Sequence, residues 1–143
     1  MTPPAPGRAS TGTGIHHLEL WTHDLAVSEP SFGWLLGELG WSAERVDGWP
    51  LGRIWRHGSG LYLVLEQSAD GHGDRHDRLA PGMNHVALTC TDREALDRLR
   101  QDGAAHGWSE LFPAAYPHAG GPEHIAWYAE NAEGFEVEVV ASV

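Results

Sequence analysis

The residues of this chain best suited to chemistry are two histidines, His17 and His85, and an acid near the C-terminus. Each histidine sits inside one of two similar runs, "GIHHLELWTHD" from Gly14 and "GMNHVALTCTD" from Gly82. The acid is Glu136 or Glu138, in "GFEVEVVA". Neutral imidazole and carboxylate together suit a divalent ion such as Fe2+, Mn2+, Ni2+, Co2+ or Zn2+. Three protein donors leave coordination positions open to substrate, where the ion polarises a carbonyl or stabilises an enolate or catecholate oxygen. A single half-buried strand histidine is more often a hydrogen-bonded structural residue. Two at the same place in an internal repeat favour the metal.

The elements that position these residues follow from periodicity. Each run reads as a strand, then a turn at Asp24 or Asp92. A helix follows, marked by Phe32, Leu35, Leu36 and Leu39 in the first copy and by Ala95, Leu96 and Leu99 in the second. Each copy then leaves through Gly-Trp, at Trp41 and Trp108, into further strands. "RIWRHG" and "GLYLVLEQ" flank a Gly-Ser-Gly turn, and "HIAWYAEN" and "GFEVEVVA" flank "NAEG". Short strands are also expected near residues 43–46 and 108–112. The fold class is therefore α+β, with two βαβββ modules whose curved sheets form a cup. Module one spans 14–67, a polar linker 68–81, and module two 82–143, all in one domain. Residues 1–13, rich in Pro, Gly, Ser and Thr, read as a flexible tail.

Alternation along each strand assigns the faces. Leu18 and Leu20, Val86 and Leu88, and Phe135, Val137 and Val139 face the helices. His17, His85, Glu136 and Glu138 share the opposite, cup-lining face, as do Tyr62, Val64 and Glu66. Glu19 falls there too, with an ion pair to Arg53 or Arg56 expected, and Trp21 is placed to line an aromatic pocket. Most other tryptophans, of seven in all, read as core or interface.

Composition narrows the partners. The 143 residues carry 9 Lys plus Arg against 20 Asp plus Glu, a net charge of −11. Such a surface disfavours nucleic acid and anionic lipid. No apolar run approaches the ~20 residues of a membrane helix. The single cysteine, Cys90, lies in an apolar run and reads as a buried small hydrophobe. A cytoplasmic setting is expected. "GHGDRHDR", residues 71–78, mixes His, Asp and Arg, but its spacing suits no metal geometry and it reads as solvated linker. His118, in the Gly/Pro-rich loop before His124, reads as an ordinary loop residue.

The segments "IHHLELWTHD", "MNHVALTCTD" and "ENAEGFEVEVVA" resemble the vicinal oxygen chelate superfamily. That group includes glyoxalase I, extradiol dioxygenases, methylmalonyl-CoA epimerase and the fosfomycin and bleomycin resistance proteins. The likeness runs from about Gly14 to Ala141. It implies a cleft metal that binds two neighbouring oxygens of a small substrate, and a homodimer. It matches His17, His85 and Glu138 to the metal ligands and makes Glu136 the weaker candidate. Glyoxalase I draws a fourth ligand from the first module's last strand, where this chain has Val64; Glu66 substitutes only if the register slips. A two-histidine, one-glutamate set looks more like the dioxygenase branch, with His124 and Tyr128 then handling protons. The resemblance thus implies a metal-dependent enzyme, dioxygenase-type ahead of lyase or isomerase. The alternative is a metal-free binder that sequesters an antibiotic.

Overall fold

The computed structural model describes residues 14–142; the expected tail, 1–13, lies outside them. Two four-stranded sheets form. The first contains β1 (His17–Trp21), β2 (Ser42–Glu44), β3 (Gly52–Arg56) and β4 (Tyr62–Glu66), in the order β1-β4-β3-β2. The second contains β5 (His85–Cys90), β6 (Ser109–Leu111), β7 (Ala126–Glu130) and β8 (Glu136–Ala141), in the order β5-β8-β7-β6. Helices α1 (Leu25–Glu38) and α2 (Arg93–Asp102) follow the first strand of each sheet. The βαβββ repeat is thus present in both halves.

Asp24 and Asp92 start the helices. Each lies in extended backbone, and their carboxylates accept from the Ala26 and Ala95 amides at 2.9 and 2.8 Å, satisfying donors that a helix N-terminus leaves free. The apolar strand faces and the helices then close one core across both modules. Leu20, Leu35, Leu36, Leu63, Leu65, Val86, Leu96, Val137 and Val139 are all buried in it. Phe32 of α1 stands edge-on to Trp108 at 5.3 Å and to Phe135 at 5.7 Å. The first module's helix is therefore seated on the second module. Cys90 is buried with this core, and desolvation pushes its thiol upward, as suits a packing residue rather than a nucleophile.

A polar knot holds the same seam. Glu133, in the "NAEG" turn, is only 5% exposed. Its carboxyl accepts from the Asp24 amide at 2.7 Å and from the hydroxyls of Thr22 and Ser28. Asn131 reaches Ser28 and Ser31 through its amide, and its Oδ1 accepts from the Glu133 and Phe135 amides. Trp108 donates from its indole to the Ser31 carbonyl at 2.9 Å.

The linker is largely exposed, as its composition suggests, but His76 and Arg78 fasten it to the second module. Arg78 pairs with buried Glu136 at 2.9 Å and also reaches Glu130. The His76 ring stacks on Phe135 with centroids 4.9 Å apart, and the His76 amide donates to the Glu133 carbonyl at 2.8 Å. Buried Glu136 and the aromatic face of Phe135 give the strap partners that local composition does not reveal. Gly134 lies beneath it in the left-handed region, φ 83°. A Cβ there would sit 2.4 Å from the His76 carbonyl oxygen. Gly134→Ala is expected to cost roughly 2–3 kcal/mol, from backbone strain plus this collision. Chemical denaturation measures it; a cost below about 0.5 kcal/mol would mean that the strap does not press on the turn.

Candidate functional site

One face of the second sheet carries a row of side chains from three of its strands and the residue after the fourth. His85 comes from β5, Glu138 from β8 and Tyr128 from β7, while Phe112 follows β6 directly. The register explains the row: Ala87 and Tyr128 are both opposite Glu138, and Leu111 is opposite Tyr128. His124 enters from the loop before β7.

Glu138 is the hub. It is 6% exposed, yet both its oxygens are engaged. His85 Nε2 lies 3.0 Å from Oε2, the Tyr128 hydroxyl donates to Oε1 at 2.9 Å, and His124 Nε2 contacts Oε1. Burial alone would push this carboxyl upward. The hydrogen bonds from His124, Tyr128 and His85 outweigh it and hold the group below its ordinary value. Burial, with the neighbouring carboxylate, pushes the Tyr128 phenol up to about 12. At neutral pH the cluster therefore holds an ionised acid facing a protonated phenol.

The other expected site residues separate from it. His17 lies on the first sheet, exposed, with its ring stacked on Tyr62 at 4.8 Å and its Nδ1 2.8 Å from Nδ1 of His16. Glu136 is taken by Arg78. Glu66 shares a hydrogen bond with Glu19, which raises the proton affinity of Glu66. Glu19 also accepts from the Trp21 indole at 3.0 Å. The expected Glu19–Arg pair does not form, because Arg53 pairs with Glu29 at 2.6 Å and Arg56 with Glu44 at 2.6 Å. His118 contacts the His124 carbonyl at 3.3 Å instead of the acid.

The two faces differ at one decisive place. Val64 stands opposite Ile54, as Glu138 stands opposite Tyr128. The first sheet thus carries an aliphatic pair where the second carries acid and phenol.

Two further residues shape the second face, and neither has a signal in residue type. Gly120 packs so closely that a Cβ would lie 2.5 Å from the His124 ring and 2.6 Å from the Tyr128 hydroxyl. Phe112 has φ 56° and ψ 43°, a left-handed conformation that costs a non-glycine residue roughly 1–2 kcal/mol. Its ring remains 52% exposed and meets Tyr128 edge-on at 5.8 Å.

His85 Nε2 and Glu138 Oε2 suit a divalent ion in type and spacing. Two adjacent ligand atoms, each ~2.1 Å from an ion, lie about 3 Å apart. A complete set is not present within one chain: among the described residues, no three His, Cys, Asp or Glu side chains are grouped to hold an ion.

The repeat and its cup point to a family, and comparison decides it. Residues 16–128 match the model of the glyoxalase/bleomycin resistance protein/dioxygenase superfamily. This chain belongs to that superfamily. An uncharacterised Bacillus subtilis protein, YqjT, is 31% identical over 128 residues, spanning 89% of this chain and 98% of its own. A Bacillus halodurans structure, described as a candidate glyoxalase, superposes with a TM-score of 0.82 at 34% identity, covering 91% of this chain and 96% of that one. The fold is also that of the fosfomycin resistance protein FosX from Listeria monocytogenes, solved with Mn(II) and dihydroxypropylphosphonic acid. That match has a TM-score of 0.60 at 16% identity, over 92% of this chain and 91% of that one. No helix among the described residues is long and apolar enough to cross a membrane.

Proposed function

We propose that this superfamily member is a metal-dependent enzyme that binds a small substrate through neighbouring oxygens. His85 and Glu138 of one chain and His17 of a second copy are the metal donors of a homodimer. The observation that carries the reading is the buried Glu138 carboxyl, with two imidazoles and a phenol on its two oxygens. His17 supports the two-chain assembly: it is exposed on the first sheet and has no place in the core. When bound, the ion would polarise the substrate oxygens and stabilise charge developing on them. His124 and Tyr128 hold protons beside Glu138 and are placed to pass them to substrate. The two-histidine, one-carboxylate set favours dioxygenase-type chemistry over lyase or isomerase chemistry.

The test mixes two defective chains. Wild-type protein purified without chelator is expected to carry about one transition ion per chain, and His17→Ala and Glu138→Ala proteins almost none. A site shared between copies predicts recovery when the variants are unfolded and refolded together, because each mixed dimer regains one intact donor set. Metal-free wild type would overturn the metal reading. Absence of recovery, with metal bound by the wild type, would overturn the shared site.

A second reading has its own support. The Glu138 carboxyl has hydrogen-bond partners on both oxygens, and Trp21 stands 50% exposed on the first sheet. Tight metal-free binding of an aromatic antibiotic, seen as tryptophan quenching, would favour sequestration.

A further inference from the structure

Phe112 has an unusual combination of cost and exposure. It adopts the left-handed region without being glycine, and the residue after it is Pro113, which disfavours the right-handed helical alternative. Its ring is not part of the core. It stands at the end of the row His85, Glu138, Tyr128, edge-on to the phenol. Tyr128 also meets the His85 ring edge-on, at 6.0 Å between centroids.

The surrounding chain holds this conformation from both sides through one residue. Arg100 of α2 pairs with Glu110, two residues before Phe112. The same guanidinium lies 4.1 Å from the ring centroid of Tyr116, four residues after it. Tyr116 is tied again to α2 by its hydroxyl, which donates to Asp97 at 2.5 Å. The segment 110–116 is thus pinned at each end to one helix, with the strained residue between the pins. Strained residues persist where the surroundings over-determine them and gather at ligand sites.

We propose that Phe112 is the specificity-determining wall of the Glu138 site and selects substrates whose oxygen-bearing head carries a flat, apolar body. The inference rests on the reading of that site as one that takes neighbouring oxygens. The head reaches Glu138 and its imidazoles, while the body lies along the exposed ring of Phe112. Aromatic pairs prefer offset or edge-to-face contact, and the half-exposed Phe112 ring offers it.

Two hydroxamates test this, because they present the same pair of oxygens with and without a ring. Acetohydroxamate and benzohydroxamate are titrated calorimetrically into Mn(II)-loaded protein. Wild type is expected to bind benzohydroxamate roughly 10-fold more tightly. In Phe112→Ala that preference should fall to about 2-fold or less, with acetohydroxamate affinity unchanged, and Phe112→Tyr should retain it. No preference in the wild type, or a preference that survives Phe112→Ala, overturns the inference while leaving the oxygen-binding site standing. An unaltered preference together with a weakened dimer would assign the ring to the second copy instead, and likewise overturns it. If neither hydroxamate binds wild type, the underlying reading fails and the inference with it.

Discussion

Glu133→Ala is expected to lower folding stability by about 3–4 kcal/mol, although every group its carboxyl contacts is remote in sequence. The change strips an acceptor from the Asp24 amide and from the hydroxyls of Thr22 and Ser28, all at the seam between modules. An unsatisfied buried donor costs roughly 1–3 kcal/mol, and water entering the vacated space recovers part of the total. Urea denaturation should show a lower midpoint at unchanged slope. Ser28→Ala removes one donor and keeps the acceptor engaged, so its cost should be nearer 1 kcal/mol. A Glu133→Ala cost below 1 kcal/mol would mean that the seam is held by Phe32, Trp108 and Phe135 alone.

Under the proposed function, Glu138→Gln is expected to weaken metal binding roughly 100-fold or more, and it should also change the response to pH. Burial opposes ionisation of Glu138, and its three partners reverse that effect. A carboxyl held below its ordinary value contributes stability above the usual carboxylate range and loses it as pH falls through the lowered value. The variant should therefore lose less stability on acidification than the wild type, whatever its stability at neutral pH. Tyr128 has the opposite sign. Its phenol is raised to about 12, so its contribution is present below pH ~10 and lost as pH rises toward 12. Tyrosinate absorbance reads this directly. Tyr116 is also raised to about 12, so the difference between wild type and Tyr128→Phe isolates the phenol beside Glu138. An identical acid limb in Glu138→Gln would show that the hydrogen bonds do not hold the carboxyl down.

Much of this architecture is legible in the sequence because strand alternation is strict. Leu18, Leu20, Val137 and Val139 turn toward the core, and His17, His85 and Glu138 turn away, as the period of two requires. The step from a shared face to a shared site is harder. Alternation identifies the side of its own sheet on which a residue lies, and says nothing of how two sheets face each other. His85 and Glu138 meet because β5 and β8 are paired neighbours; His17 belongs to the other sheet. Alternation also cannot separate Glu136 from Glu138, which share a face. The guanidinium of Arg78, delivered by the linker, distinguishes them. Phe112 and Gly120 act through backbone conformation and close approach, which residue type does not encode. Glu133 looks like a solvated turn acid until Thr22 and Ser28 are brought to it across the seam.

The valine and isoleucine on the first sheet, opposite an acid and a phenol on the second, have a consequence for the repeat itself. A chain built from two first halves would have imidazoles and no carboxylate at Glu138's position; one built from two second halves would crowd two such carboxylates into the molecule. Neither reproduces the present pairing of one acidic face with one aliphatic face. Under the proposed function the two halves of the repeat carry different chemistry, so neither stands in for the other.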